Sequence, residues 1–431
     1  MPSTFDDQLL REGIQYFQAK QYEAAKRYLE RAADVSDDLR TQELANFYLS
    51  KLTDDPVQKR KHLDTTLAIN PANADAHRAL AILDGRLKAE DVVDADRLPA
   101  QSREAQKIGA SRFECPKCGS RMIFDGDGST LICESCTRQE AIQSKTPQNE
   151  QDFIIAMATG QGHRAPVSVK TFLCQGCGAE VLLPPGVISE SCSYCASVYV
   201  AAAARELVEP DSIIPIAFNQ REAAMRLVKW VEKHKIKPQG KVHAPRALYL
   251  PVWTFDIMGN VPWSGTIYQD NYNMAFGYQG KKEVPISGDK IASFDDILVY
   301  GSSKLADLLP KIINDFSLHN GAVYDPRYLA GWPAEIYQKA MAEASLDARK
   351  QAVEHVRTSL RQEQPSVMNL RYSTGNLSIV SFKLVLIPVW ITQYQVDERP
   401  YRIIINGQTG SIYGERESRG IAGWIGDMLG G

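Results

Sequence analysis

The sequence predicts a multidomain chain: an α-helical repeat at the N-terminus, two small β units each built on four cysteines, and a C-terminal α+β domain with a duplicated β-meander. Three observations lead there. Apolar and small residues recur at helical spacing through residues 1–90 with a period of 34. All eight cysteines fall in Cys-x-x-Cys pairs. An aliphatic-Pro-Val-Trp core occurs twice, 137 residues apart, in segments whose alternation suits half-buried strands. At 431 residues the chain exceeds one ordinary domain, and a formal charge of −3 exerts no overall pull towards nucleic acid. The opening MPSTFDDQLL has no basic region followed by an apolar core. No run approaches the roughly 18 apolar residues of a membrane span. A reduced, cytoplasmic chain is the expectation.

Residues 9–37, LLREGIQYFQAKQYEAAKRYLERAADVSD, place Leu9, Gly13, Tyr16, Ala25, Leu29 and Ala32 at spacings that resemble the tetratricopeptide repeat. In that repeat small residues let two antiparallel helices touch. Thirty-four residues after Asp37 the chain reaches Pro71, in the repeat's terminal proline position. The second copy reads as degenerate, with Thr66 in an alanine position and DDPVQ interrupting its hairpin, and ADAHRALAILDGRL supplies a capping helix. Stacked helices of this kind leave a concave surface, which implies a protein or peptide partner at residues 1–90. The acidic and polar stretch 91–111 reads as a linker.

The cysteines form two units, 112–140 (Cys115, Cys118, Cys133, Cys136) and 171–204 (Cys174, Cys177, Cys192, Cys195), with 14 residues between the inner cysteines of each. That leaves room for a strand out and a strand back, the layout of a zinc ribbon. Two such knuckles set four thiolates around one Zn²⁺, so two structural ions, four thiolates each, are expected. Glycine follows the first knuckle of each unit (CPKCG, CQGCG), where the turn favours positive φ. Rubredoxin-like iron suits the short loops less well, and a redox pair would need only one knuckle and a βαβ setting. Four thiolates close the coordination shell, which argues for structure over catalysis. Charge disfavours phosphate here: residues 171–204 hold no Lys or Arg, and 112–140 hold four basic residues against five acidic. Residues 141–170 read as a linker segment in which DFIIAMATG forms a short helix or strand.

The domain 210–415 opens with the strand SIIPIAF and the helix REAAMRLVKWVEKH. Between residues 221 and 246 basic residues outnumber acidic ones by six, the best sequence candidate for an anionic partner such as nucleic acid; a solvated helix face is the plainer reading. The repeated cores are Leu250-Pro251-Val252-Trp253 and Ile387-Pro388-Val389-Trp390. Their prolines suggest edge positions or strand starts, and their tryptophans suggest core. Helices are expected over KLADLLPKIINDF (Leu305, Leu308, Leu309, Ile312, Ile313 and Phe316 on one face) and over 334–361. Asn406, Gly407 and Gly410 mark a hairpin loop. The tail 416–431 is amphipathic (Ile421, Trp424, Ile425, Met428, Leu429) and suits docking on its own domain or a partner better than on a membrane surface.

Two four-cysteine units followed by SIIPIAF, LYLPVWTFD, VPISGDK, LIPVWITQYQV and NGQTGSIYG resemble a family of bacterial proteins with zinc ribbons of the transcription-factor-IIB type, often labelled primosomal-helicase-like. The resemblance covers about 112–415 and implies zinc but no activity. It also suggests membrane-associated scaffolds, since some relatives carry transmembrane segments after this domain. The chain has no Gly-x-x-x-x-Gly-Lys-Ser/Thr phosphate loop to support a helicase. Its seven histidines (His62, His77, His163, His234, His243, His319, His355) are scattered, with no catalytic constellation among them. The expectation is a non-catalytic adaptor with no small-molecule substrate. A nucleic-acid accessory factor and a peripheral membrane scaffold are the alternatives.

Overall fold

The computed structural model describes residues 5–71, 73–93, 106–107, 110–111, 113–125, 129–142, 150–163, 170–173, 180–183, 187–191, 198–201, 208–236, 242–273, 277–301, 309–335, 337–396 and 399–414. Helices α1 (Phe5–Gln18), α2 (Tyr22–Val35), α3 (Leu39–Leu52) and α4 (Pro56–Ile69) are 14 residues each. The period of 34 is literal, since α3 starts 34 residues after α1 (5 to 39) and α4 starts 34 after α2 (22 to 56). Gly13 explains how α1 and α2 approach so closely: a Cβ there would sit 2.8 Å from Leu29 Cδ2. DDPVQ does not interrupt the second hairpin. It is the turn, in which Asp55 accepts the Val57 N–H at 3.0 Å and Pro56 takes the first helical position, where its missing donor costs nothing. Thr66 fits the alanine position, fully buried, by donating its hydroxyl to the His62 carbonyl at 2.9 Å. The last helix, α5 (Ala74–Leu83), is capped by Asn73.

Beyond the helices come β1 (Gln106–Lys107) and β2 (Ala110–Ser111), then the first four-cysteine unit with β3 (Met122–Phe124), β4 (Thr130–Cys133) and β5 (Gln139–Ala141). Next are β6 (Gln151–Asp152), α6 (Phe153–Ala158), and four strands around the second unit: β7 (Lys170–Leu173), β8 (Glu180–Leu183), β9 (Val187–Ser191) and β10 (Val198–Ala201). Neither stretch expected as a linker is structureless. Within 91–111, β1 pairs with β7 and β2 with β10. Within 141–170, DFIIAMATG forms both a strand residue and a helix, because Asp152 caps α6 while Phe153 inserts its ring against Phe255 and Phe382.

The C-terminal sheet holds β11 (Ser212–Ile213), β12 (Arg246–Asn273), β13 (Gly277–Tyr300), β14 (Ala322–Val323), β15 (Ala334–Glu335), β16 (Met368–Tyr372), β17 (Ser378–Val396), β18 (Arg399–Asn406) and β19 (Ile412–Gly414), with helices α7 (Gln220–Lys233), α8 (Leu309–Ile312) and α9 (Met341–Glu363). The two Pro-Val-Trp cores lie side by side: β12 and β17 pair antiparallel with Leu250 opposite Ile387 and Trp253 opposite Leu384. The prolines are therefore at the sheet centre and not at an edge. In a strand a residue's N–H and C=O point to the same side, and each proline's C=O points to where the next strand has just ended. Pro251 O accepts from Gly301 one residue beyond β13, and Pro388 O accepts from Gly407 one residue beyond β18, both at 2.9 Å. The carbonyls that would have received the absent N–H groups are satisfied elsewhere, Gly301 O by Gln338 and Lys339 and Gly407 O by Ala217. Trp253 and Trp390 are core residues, 0% and 1% exposed.

The helix expected over 334–361 begins at Met341, because residues 334–335 are drawn into pairing with β12 and β9. Its buried stripe, Met341, Ala344, Ala348, Ala352, Val356 and Leu360, follows the helical period. Of the helix expected from Leu305, residues 302–308 lie outside the described residues; the rest is one turn, α8, followed by a 3₁₀ turn, with Ile312, Ile313 and Phe316 buried. The loop after β18 is as expected: Asn406 Oδ1 accepts the N–H groups of Gln408 and Thr409, and Gly410 takes φ +80°. The tail 416–431 lies outside the described residues.

Candidate metal centre

The first four-cysteine unit is built from two matching turns. After Cys115-Pro-Lys-Cys118, the Cys115 N–H donates to Ser120 O at 2.7 Å and Gly119 N–H to Cys115 O at 2.8 Å. After Cys133-Glu-Ser-Cys136, the Cys133 N–H donates to Arg138 O at 2.9 Å and Thr137 N–H to Cys133 O at 3.0 Å. Gly119 takes the positive φ (+70°) expected after the first knuckle, and Thr137 (φ +53°) takes the same left-handed position after the second. The turns bring all four sulfurs within 4.8 Å of one another, with Cys115 Sγ 3.6 Å from Cys136 Sγ and Cys118 Sγ 3.5 Å from Cys133 Sγ. A disulfide would need about 2.05 Å. Four sulfurs tetrahedrally placed about 2.3 Å from one Zn²⁺ stand about 3.8 Å apart, close to what is found. The donor set fits a metal.

The electrostatics agree. The Ser120 amide and hydroxyl pull the Cys118 thiol down to about 6, and the Lys117 and Cys118 amides draw Cys115 below the ordinary thiol value against the opposing effect of burial. At Cys136 the Arg138 amide favours the thiolate, but burial and the three neighbouring sulfurs push it up to about 11. Clustered thiolates repel one another, and a divalent ion bound among them removes that conflict. Cys115 and Cys133 are buried and Cys118 is exposed. Across the knuckles Arg121 clamps Glu134 in a two-pronged pair, Nε–Oε2 2.7 Å and Nη2–Oε1 2.5 Å. With both side chains about a third exposed, such a pair contributes at most about 1 kcal/mol.

The unit does not stand alone. Phe124 of β3 is 1% exposed, packs edge-on against Tyr328 at 5.2 Å, donates its N–H to Ala330 O at 2.8 Å and accepts from Trp332 Nε1 at 2.8 Å. Met122, Leu131, Cys133 and Ile142 belong to the same hydrophobic core as the C-terminal sheet. Cys174, Cys177, Cys192 and Cys195 lie outside the described residues. In the basic stretch 221–246, Arg226 lies over the Phe218 ring at 4.7 Å, while Arg221, Lys229, Lys233 and Lys235 are exposed.

A polar cluster that the sequence did not announce lies beside β17. Glu150, Asp256, Asp295 and Asp296 bring carboxylate oxygens within 4.8 Å of one another, and all but Asp256 line a cleft of about 210 Å³ together with His319. Lys383 lines it too, paired with Glu150 and 3.8 Å from Asp296 Oδ1. Burial works against the lysine's charge, but Glu150, Asp296 and Asp256 outweigh it and hold its pKa above the ordinary value. The Ser381 hydroxyl sits 2.6 Å from Glu150 Oε2 and 2.5 Å from Asp256 Oδ2, donating to one at a time. The lysine supplies the cation that the carboxylates require. These residues come from four distant segments, and only the Asp295-Asp296 doublet stands out in the sequence.

No family model and no solved structure matches the chain. It is similar to an uncharacterized protein of Bacillus subtilis (strain 168), YdjG, at 26% identity over 335 residues, which covers 74% of this chain and 94% of that protein. Among the described residues no helix is long and apolar enough to cross a membrane.

Proposed function

We propose that this chain is a non-catalytic, zinc-stiffened scaffold. Each four-cysteine unit holds one structural Zn²⁺, the helical repeats present the docking surface for a protein or peptide, and the C-terminal sheet is the body to which the other parts attach. The observation that carries the reading is the sulfur geometry of the first unit, four thiols within 4.8 Å of one another in a unit that shares its core with that sheet. Four protein ligands leave no position for a metal-bound water, so the ion holds a shape and activates nothing.

Metal analysis of the native chain tests the zinc: two ions per chain are expected, and one for Cys115→Ser, Cys118→Ser or for Cys174→Ser, Cys177→Ser. A double variant that keeps both ions sinks the assignment. Since thiolates are the ligands, protons compete with zinc, and the metal content falls on acidification. The scaffold is tested by native co-purification of the full chain beside one lacking residues 1–90. A stoichiometric protein lost with the repeats supports it; nucleic acid or lipid carried by both forms transfers the function to the rest of the chain.

A further inference from the structure

We infer that metal occupancy of the Cys115–Cys136 site and docking of β3 on the loop 326–332 are one coupled equilibrium, so that residues of the seat, none of them a ligand, set the metal affinity. This rests on the zinc reading above. The first unit is too small to hold its own shape: its strands have three, four and three residues, and small sheets of this kind need a partner surface. β3 pairs with β4 along one edge only. Its other edge is shared: Met122 N–H donates to Phe113 O at 3.0 Å within the unit, while Phe124 is completed by the loop, its N–H donating to Ala330 O and its carbonyl accepting the Trp332 indole N–H, both at 2.8 Å. Gly331, at φ +87°, lets the loop lie flat on β3, since a Cβ there would come within 3.0 Å of Ile123 Cγ2.

The link to the metal is short. Cys133 is the register partner of Met122, two residues before Phe124, and Cys115 and Cys118 lie on the knuckle that feeds β3. A metal that fixes Cys133 against the first knuckle therefore fixes the strand that docks. When the ion leaves, the sulfurs separate, β3 loses its register, and both bonds at Phe124 break. The Tyr328–Phe124 contact and the face of Trp332, which stands edge-on to Trp390 at 5.6 Å, are then bared. Binding linkage is reciprocal: if the metal strengthens docking, docking strengthens metal binding by the same factor.

The test uses full-length, zinc-loaded protein. A chelator titration is followed by metal release and by hydrogen exchange at residues 122–124 and 326–332, with Cys115→Ser, Cys118→Ser identifying the release step of the first site. Loss of zinc from that site should expose the amides of both segments together. Trp332→Phe, which removes the indole donor and part of the ring that meets Trp390, should weaken that step at least about threefold to tenfold, the worth of one buried hydrogen bond, and leave the other step unchanged. Phe124→Leu, which keeps the backbone bond and loses the ring, should shift the same step in the same direction and serves if Trp332→Phe does not fold. Zinc release that leaves both segments protected, or folded seat variants with wild-type affinity, overturns the inference while the zinc reading stands. A chain with no metal on these four cysteines overturns both.

Discussion

Tyr249 shows what one buried hydroxyl does here. Its ring is fully buried near the start of β12, and its oxygen accepts the Ile216 N–H at 3.0 Å. Tyr249→Phe leaves that amide without a partner and should cost about 1–3 kcal/mol in denaturant unfolding. Burial, outweighing the Ile216 bond, also pushes its ionisation far above the ordinary value of 10.0. Tyr300 and Tyr337 rise for the same reason, to about 12 each. For an acid whose folded pKa is raised, the unfolded chain loses its proton first. Stability is therefore intact below the unfolded value and falls as pH climbs above about 10. Urea midpoints at successive alkaline pH should decline, and less steeply in Tyr249→Phe; a flat profile in the wild type would refute this. None of it was legible beforehand, because an alternating strand shows which side chains turn inward but not which amide a hydroxyl will meet. Gly13 and the four described cysteines were legible, since a small residue at a helix crossing and paired thiols at fixed spacing each have few other uses.

At the scale of elements, the duplicated Pro-Val-Trp strands were visible in the sequence and their placement was not. Pro251 and Pro388 were expected at edges or strand starts because a proline inside a ladder normally forfeits a hydrogen bond. The sheet avoids the loss by ending β13 and β18 one residue short, with Gly301 and Gly407 closing back on the proline carbonyls. Where a neighbouring strand stops is a tertiary fact that no local pattern encodes. The arrangement makes Gly407 the more demanding glycine: a Cβ there would stand 2.7 Å from Pro388 O and 2.8 Å from Pro388 Cβ, both held by the sheet. Gly407→Ala should therefore cost about 1–3 kcal/mol through overpacking. Gly375→Ala, whose nearest atom is Ser373 Oγ at 3.7 Å, should be neutral or slightly stabilising. Equal melting temperatures for the two variants would show that the β17–β18 corner relaxes more freely than its contacts imply. The same tertiary override explains α9, whose periodic stripe was readable while its start was displaced by the pairing of residues 334–335.

Across the whole molecule, the parts read as separate from the sequence are joined by residues between them. Arg86 beyond α5 pairs with Asp152 at 3.1 Å, Val93 N–H donates to Ala158 O at 2.9 Å, and Phe153 packs on the sheet. Beside that plug, Lys383 of β17 gathers Glu150, Asp256 and Asp296 from three other segments. Its ammonium is the only positive charge described for that cluster, and the side chains concerned are mostly buried, with Lys383 20% and Asp296 18% exposed. Lys383→Ala would leave carboxylates facing one another. Breaking a fully buried ion pair costs about 3–5 kcal/mol, and partial solvent access here should reduce this to about 1–3 kcal/mol. The sign with pH is opposite to that of an ordinary paired carboxylate. Without the lysine the carboxylates repel one another in the native state, acid neutralises that repulsion, and stability is regained as pH falls from neutrality. Ca²⁺ should have a similar effect, because oxygen ligands within 4.8 Å of one another suit that ion once the ammonium has gone. The decisive measurement is the urea midpoint of Lys383→Ala at pH 7, at pH 5, and at pH 7 with Ca²⁺. Recovery under both latter conditions, and no Ca²⁺ effect on the wild type, would identify Lys383 as the built-in counter-ion joining the repeats' connector to the sheet. A loss indifferent to pH and to Ca²⁺ would mean that the lysine's aliphatic stem, and not its charge, does the joining.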